Sequence, residues 1–142
     1  MKKLSILLAV LLSLLLSVTI LSSCGTADNT DKEDTTQMYT YEQISQEEAK
    51  ALMDSEKDYV ILDVRTTEEF AESHIEGAVL LTDVDIKTKA EVVLTDKDQL
   101  ILVYCRSGRR SKNAAAELAE LGYTNVKEFG GIIDWPYGTV SE

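Results

Sequence analysis

The chain contains a continuous apolar run, Leu100 to Val103, followed by a glycine-containing turn and then by an Ala/Leu-rich segment. The apolar run predicts a strand buried on both faces, as in a parallel sheet. The segment 111–121 predicts a helix, because its apolar residues recur at helical spacing. Cys105 therefore lies on the turn between a strand end and a helix start. Backbone N–H groups and the positive end of the helix dipole converge there, which favours a thiolate over a thiol.

Strands and helices alternate along the rest of the chain. The predicted strands are 39–44, 59–62, 78–81, 100–104 and 125–129. The predicted helices are 45–55 with a Ser45/Glu48 capping box, a short one capped by Thr66 or Thr67, an irregular one over 83–94, and 111–121 with Gly122 as its C-terminal cap. This order predicts an α/β fold with an open, mostly parallel sheet and helices on both faces.

More specific predictions concern the segment 83–94 and the segment 130–135 near the end of the chain. In 83–94 we expect Val84, Ile86, Val92, Val93 and Leu94 to supply core contacts. Gly130-Gly131 is predicted to form a turn, and Ile132, Ile133 and Trp135 to pack a final segment.

In an open parallel sheet the site lies beyond the carboxyl ends of the strands. Asp63-Val64-Arg65 and the Cys105 turn both follow such ends.

The N-terminus has the pattern of a targeting segment. Lys2 and Lys3 precede the apolar run 4–21, and the run ends in Leu21-Ser22-Ser23-Cys24. That ending resembles the lipobox of bacterial lipoproteins, which implies a signal peptide over 1–23 and a lipid on Cys24. The alternative is an uncleaved transmembrane anchor, since about 18 apolar residues can span a bilayer. The small residues and the cysteine favour the lipoprotein, and both interpretations place the domain outside the cytoplasm.

The lipoprotein interpretation divides the chain into three parts. Residues 24–38 comprise the lipidated cysteine and a polar, acidic tether that is predicted to be disordered, and 39–142 form one domain. Cys24 and Cys105 are the two cysteines of the chain. If Cys24 carries lipid, Cys105 has no intramolecular partner, which favours a reactive thiol.

Composition excludes several classes of protein. The net charge of -11, from 25 acidic and 14 basic side chains, argues against a nucleic-acid binder, whose surface would be basic. A single histidine and two distant cysteines argue against a structural zinc site. We expect no metal and no cofactor, and we expect a monomer anchored to the membrane by its N-terminal lipid.

Several motifs occur together in a familiar order over most of the predicted domain. They are Asp63-Val64-Arg65, Glu69-Phe70, His74-Ile75-Glu76-Gly77-Ala78, Cys105-Arg106-Ser107-Gly108-Arg109-Arg110-Ser111, and Gly130-Gly131 followed by Trp135. With these motifs, residues 41–138 resemble a rhodanese-like domain, the single-domain sulfurtransferase fold.

The resemblance implies that Cys105 takes sulfane sulfur as a persulfide and passes it to a thiophilic acceptor. The donor would be a small anion such as thiosulfate or polysulfide, and the acceptor a thiol, a cyanide-like molecule or a partner protein. A persulfide splits the transfer into two steps, and backbone N–H groups of residues 106–111 can hold its terminal charge. Gly108 would let the chain turn tightly.

Side chains of the loop are predicted to bind the donor; they are Arg106, Ser107, Gly108, Arg109 and Arg110. Together with Lys112, the arginines would attract anions and lower the pKa of Cys105. We expect Arg106, and after it Arg109, to face the pocket. The resemblance assigns structural roles near the site to Asp63, Arg65 and His74. Arg65 is expected to pair with an acid such as Glu68 or Glu69.

Other functions remain open. A phosphatase or arsenate reductase of the same fold would need a Cys-x5-Arg loop, one residue longer, and the sixth position after Cys105 is Ser111, not Arg. A non-catalytic module that carries sulfur or senses redox state would keep the same cysteine.

Overall fold

In the computed structural model, which describes residues 40–142, five strands form a single parallel sheet in the order β1-β5-β4-β2-β3. The strands are β1 (Glu42–Gln43), β2 (Tyr59–Asp63), β3 (Val79–Leu80), β4 (Leu100–Cys105) and β5 (Val126–Gly131). The helices are α1 (Gln46–Ser55), α2 (Thr67–Glu72), α3 (Ile86–Val93) and α4 (Arg109–Glu120), with 3-10 turns at Asp83–Asp85 and Ile132–Asp134. The predicted α/β class is confirmed.

The central strand β4 is buried along its whole length, and successive side chains point to opposite faces of the sheet. Ile101, Val103 and Cys105 belong to the core beneath α3 and α4. Leu102 and Tyr104 belong to the other core, which α1 covers. Helices therefore pack on both faces, and Cys105 lies on the α3/α4 side.

Local capping signals set the starts of α1 and α2 as predicted. Ser45 and Glu48 form a reciprocal capping box at α1, with Glu48 N–H donating to Ser45 Oγ at 3.1 Å. Thr66 and Glu69 form a second box at α2. Gly122 follows α4 with a φ of 89°, the left-handed conformation expected just beyond a helix end.

The segment 83–94 differs from its prediction. A 3-10 turn at Asp83–Asp85 precedes a separate α3. Ile86 and Leu94 are buried as predicted, but Val84, Val92 and Val93 are 82%, 79% and 42% exposed. An eight-residue helix presents one face to the sheet. Every fourth residue lies on that face, namely 86 and 90 within the helix and 94 just after it.

Two boundaries near the loop were also predicted wrongly. Helix α4 begins at Arg109, two positions before the predicted start, because Gly108 ends the turn. Gly130 and Gly131 belong to β5 and do not form a turn, since Gly131 pairs with Cys105 of β4. Of the predicted final segment, Trp135 is buried but Ile133 is 61% exposed.

Within residues 40–142, no helix is long and apolar enough to cross a membrane. The predicted signal peptide, Cys24 and the tether lie outside the described residues.

Candidate active site

The loop from Cys105 to Arg110 joins the end of β4 to the start of α4. Gly108 has a φ of 91°, a left-handed conformation that side chains with a Cβ rarely adopt, so the chain can reverse within the loop. The Gly108 N–H then points back and donates to Cys105 Sγ at 3.1 Å. Cys105 itself is 1% exposed, so its sulfur lies at the base of the loop.

Opposing influences act on the thiol. Burial raises the pKa of Cys105, but the Ser111 hydroxyl and the N–H groups of Ser111, Ser107 and Gly108 outweigh it and hold the pKa below its ordinary value. From the sequence, both the backbone N–H groups of this turn and the arginines are expected to lower this pKa. In the structure the larger contributions are hydrogen-bond donors of the loop and of the first turn of α4, which can also stabilise a negative charge on a second sulfur.

Strand β5 lies directly against the loop. Gly131 pairs with Cys105 after a shift of register that begins beyond Val103. A Cβ placed on Gly131 would lie 2.6 Å from Ser107 Cα, far inside van der Waals contact, although the φ of this glycine is an ordinary -121°. The glycine is required by close approach, and it fixes the position of the loop against the sheet.

Arg110 closes the loop through a bidentate ion pair with Glu69 of α2. Its guanidinium donates to the two carboxylate oxygens at 2.8 and 2.7 Å. The Arg110 bond is the main reason that the pKa of Glu69 falls to about 2. The charge on Cys105 contributes to raising the pKa of Arg110, after the larger effect of Glu69. Arg110 is therefore electrostatically coupled to the sulfur.

We expect Glu69→Gln to reduce stability in a pH-dependent way. Glutamine can keep the Thr66 cap but loses the ionic bond. Because the folded pKa of Glu69 is about 2 and its ordinary value is 4.5, the stabilisation is present above 4.5 and is lost as pH falls toward 2. At neutral pH the difference should be about 1–2 kcal/mol, since the pair is partly screened by water.

Urea unfolding of both proteins across that pH range measures the difference. Glu91→Gln, which breaks an exposed pair with Lys97, is the control and should change little. A Glu69→Gln penalty that stays constant down to the acid end of the range would contradict the assignment.

Asp63 and Arg65 form a buried ion pair with each other. Arg65 Nη2 donates to Asp63 Oδ2 at 2.6 Å, and the two side chains are 4% and 0% exposed. The same nitrogen donates to the Ser73 carbonyl at 2.6 Å. The expected partners of Arg65, Glu68 or Glu69, were wrong, because Asp63 lies two residues away at the end of the same strand and Glu69 is bonded to Arg110. The pair ties β2 to the turn after α2.

His74 lies in that turn, and both its ring and its backbone make structural contacts. Its Nδ1–H donates to the Phe70 carbonyl at 2.9 Å, and its ring stacks on Phe70 at 3.9 Å between centroids. Its backbone also bridges to Val140. These contacts anchor the C-terminal segment.

The remaining arginines of the loop differ in position. Arg106 and Arg109 are both exposed. Arg106 lines a cavity of about 510 Å³ beside the loop, together with Arg65, Glu69 and Ile133. Arg109 does not line that cavity. Ser107 is exposed at the tip of the loop.

Sequence reasoning missed one group, Glu128 of β5. Its carboxylate is 2% exposed, and Oε1 accepts from Ser111 Oγ at 2.6 Å and from Gly130 N–H at 2.9 Å. The available signal was that Glu128 alternates with Lys127 in the predicted strand and so shares a face with the apolar Val126. Across the part of the chain that the structure describes, no group of three His, Cys, Asp or Glu side chains is arranged to hold a metal.

Comparison with known proteins identifies relatives of this site and fold. A family model described as "Rhodanese-like domain" matches residues 45–135. Thiosulfate sulfurtransferase PspE of Escherichia coli (strain K12) is 36% identical over 73 residues, which are 51% of this chain and 70% of PspE. Thiosulfate sulfurtransferase GlpE of Coxiella burnetii (strain RSA 331 / Henzerling II) is 36% identical over 96 residues, which are 67% of this chain and 87% of GlpE.

Solved structures agree with these matches. A structure described as a rhodanese with anions, from E. coli, aligns with a TM-score of 0.56 at 32% identity and covers 59% of this chain and 99% of that chain. The region matched by the family model contains four of the five strands, all but the short β1, together with the complete Cys105 loop. The resemblance inferred from the motifs is confirmed: this chain belongs to the rhodanese-like domain family.

Proposed function

We propose that the domain is a sulfurtransferase in which Cys105 receives sulfane sulfur from a small anionic donor and passes it to a thiophilic acceptor. The observation that carries this proposal is the loop itself, in which the Gly108 N–H lies 3.1 Å from Cys105 Sγ. The N–H groups of Ser107 and Ser111 add to it in favouring the thiolate. Relatives named thiosulfate sulfurtransferase support the reaction class.

With thiosulfate as donor, the Cys105 thiolate attacks the outer sulfur. A bond forms between Sγ and that sulfur, the S–S bond of thiosulfate breaks, and sulfite leaves with its electron pair. The product is a Cys105 persulfide whose terminal charge faces the N–H groups of the loop. An acceptor such as cyanide then attacks the terminal sulfur, leaves as thiocyanate, and returns Sγ to the thiolate.

Arg106 would guide the donor to the loop. It is exposed at the edge of the 510 Å³ cavity, within a chain whose net charge of -11 would otherwise repel anions. Arg110 would add positive charge from the far end of the loop, reduced by its bond to Glu69. The related structure described as a rhodanese with anions supports an anionic ligand.

The length of the loop separates this function from phosphate chemistry. Arg110 closes the loop one position earlier than the arginine of a Cys-x5-Arg loop, and Ser111 occupies that later position. The Ser111 hydroxyl donates to Glu128, so the side chain at this position brings no positive charge to a tetrahedral oxyanion. This arrangement favours a single sulfur over phosphate or arsenate.

Two assays on the same full-length protein test the proposal. Thiocyanate formation from thiosulfate and cyanide should be measurable and should saturate with thiosulfate, whereas hydrolysis of an aryl phosphate should stay at background. Cys105-dependent phosphate release would overturn the proposal. Transfer of sulfur to Cys105 without turnover to any acceptor would favour a sulfur-carrier or redox-sensing module.

We also propose that Cys24 carries lipid and holds the domain outside the cytoplasmic membrane. The basic residues, the apolar run and the Leu21-Ser22-Ser23-Cys24 ending support this location. Labelling of the protein with a fatty acid in a bacterial host should be lost in Cys24→Ser. Equal labelling of both proteins would contradict the proposal.

A further inference from the structure

A second cavity lies against the face of the sheet opposite to Cys105. Its volume is about 330 Å³, which is within the range of small-molecule sites. Helix α1, strand β2 and the C-terminal segment 135–140 border it, and its buried lining includes Ile61 and Ile75. These two side chains belong to the core beneath α1, whereas Cys105 belongs to the core beneath α3 and α4. The cavity is therefore separate from the proposed active site.

The C-terminal segment is held in place beside this cavity by hydrogen bonds at both of its ends. Trp135 Nε1 donates to the Gly138 carbonyl at 3.1 Å, which closes a turn. Val140 and His74 then exchange two backbone hydrogen bonds, both of 2.8 Å. Because the segment is fixed in this way, its side chains border the cavity before any ligand arrives, which reduces the entropy lost on binding.

Three aromatic side chains form much of the lining, and together they are called the aromatic cage; they are Tyr59, Trp135 and Tyr137. The rings of Trp135 and Tyr137 meet at 71° with their centroids 4.9 Å apart. An edge-to-face contact of this kind covers one face of one ring, so it leaves ring faces available to the cavity. Inclined rings around a cavity are the arrangement that recognises ammonium groups.

One ammonium group already lies against this lining. Lys50 Nζ is 5.8 Å from the centroid of the Tyr137 ring, over its face. This distance is close to the limit of about 6 Å for a cation–π contact, and Lys50 is also paired with Asp54. The Tyr137 ring therefore attracts an ammonium but holds this one loosely, and Lys50 keeps its carboxylate partner if it moves aside.

A carboxylate without an ionic partner lies at the edge of the same cavity. Glu76 is exposed and lines the cavity, and none of the ion pairs within residues 40–142 includes it. Since Lys50 is balanced by Asp54, Glu76 gives the lining a net negative charge. The net charge of -11 on the whole chain also draws cations toward its surface.

We propose that this cavity binds a small, soluble organic cation that carries a quaternary ammonium group. The ammonium of the ligand replaces Lys50 Nζ over the Tyr137 ring and lies beside Trp135. Tyr59 supplies the third ring of the aromatic cage, and Glu76 balances the charge. A quaternary ammonium fits this lining because its methyl groups contact the ring faces while its charge is attracted to them. The site does not depend on sulfur transfer.

Fluorescence of Trp135 tests the proposal, because this residue is the single tryptophan of the chain and lines the cavity. The full-length protein is titrated at constant ionic strength with choline, and separately with the neutral alcohol in which a carbon atom replaces the choline nitrogen. Choline should change the emission with a dissociation constant of about 1 mM, and the alcohol should bind at least about tenfold more weakly. An equal response to both would show a cavity without preference for charge and would overturn the proposal.

Substitutions of the lining identify the groups that bind choline. Tyr137→Leu removes a ring and should weaken binding about tenfold, whereas Tyr137→Phe keeps the ring face and should bind as the wild type does. Glu76→Gln should weaken binding about threefold, and Glu120→Gln, exposed at the end of α4, is its control and should have no effect. Wild-type affinity in Tyr137→Leu, with thermal unfolding showing a folded protein, would contradict the assignment.

Lys50→Gln removes the internal ammonium and should raise the affinity for choline at least about threefold. Lys87→Gln removes the same charge from α3, on the other face of the sheet, and should change the affinity little. Binding in Lys50→Gln alone would show that Lys50 fills the aromatic cage permanently, and no binding in either protein would show that no ammonium site exists; both results overturn the proposal. A response to phosphatidylcholine vesicles without a response to choline would assign the site to a membrane surface and would overturn it as well.

Discussion

Replacing Cys105 by serine is expected to reduce thiocyanate formation to background while leaving the fold intact. Serine has nearly the same shape, and the 1% exposed site can hold it without a cavity. Its hydroxyl stays protonated at neutral pH and cannot form a persulfide, so the covalent step is lost.

The measurement is the rate of thiocyanate formation, with circular dichroism and thermal unfolding to show that the variant is folded. Unchanged unfolding with no transfer is the predicted result. Transfer at even a few per cent of the wild-type rate, in protein free of wild type, would show that sulfur reaches the acceptor by a route that does not use Cys105.

Substitution of Gly131 by alanine is expected to have the next largest effect on activity, although this residue has no side chain in the site. The added Cβ would lie 2.6 Å from Ser107 Cα, so the loop or β5 must move. A displacement of about 1 Å in a catalytic group can cost about 100-fold in rate. We expect a loss of that size in thiocyanate formation, with weaker stabilisation of the Cys105 thiolate.

Gly122→Ala is the matched control for this prediction. Gly122 has a φ of 89°, and a Cβ there would meet nothing closer than Lys97 Cδ at 3.9 Å. The control should therefore lose about 1–2 kcal/mol of stability from backbone strain but keep its activity. Wild-type activity in Gly131→Ala would show that the contact between β5 and the loop does not position Cys105.

Features encoded by neighbouring residues could be predicted from the sequence. The strand Leu100–Cys105 follows from a continuous apolar run, and the capping boxes at α1 and α2 follow from a hydroxyl residue with glutamate three positions later. The parallel direction of the strands follows from the alternation of strands and helices along the chain. These signals were sufficient to place Cys105 at a strand end beside a helix start.

Features that depend on residues distant in sequence could not be predicted. Arg65 pairs with Asp63 and Arg110 with Glu69, a choice of partners that depends on how α2 packs beside the loop. The role of Gly131 depends on the approach of β5 to Ser107. Apolar character alone also failed to show that Val84 and Val92 are exposed, because the break between the 3-10 turn and α3 changes which face each residue occupies.

For the same reason, the site could be predicted only in part from the sequence. The nucleophile and the glycine turn are contiguous, but the Ser111–Glu128 bond joins residues 17 apart in sequence. From the sequence, the backbone N–H groups of the turn and the nearby arginines are both expected to lower the pKa of Cys105. The structure shows hydrogen-bond donors as the larger cause.

The central claim is that Cys105 holds the transferred sulfur, and intact-protein mass spectrometry tests it most directly. The full-length protein is incubated with thiosulfate, freed of excess donor, and weighed before and after addition of cyanide. The account predicts a gain of one sulfur atom that cyanide removes and that is absent in Cys105→Ser. No sulfur adduct with thiosulfate or polysulfide, or an adduct that persists in Cys105→Ser, would contradict it.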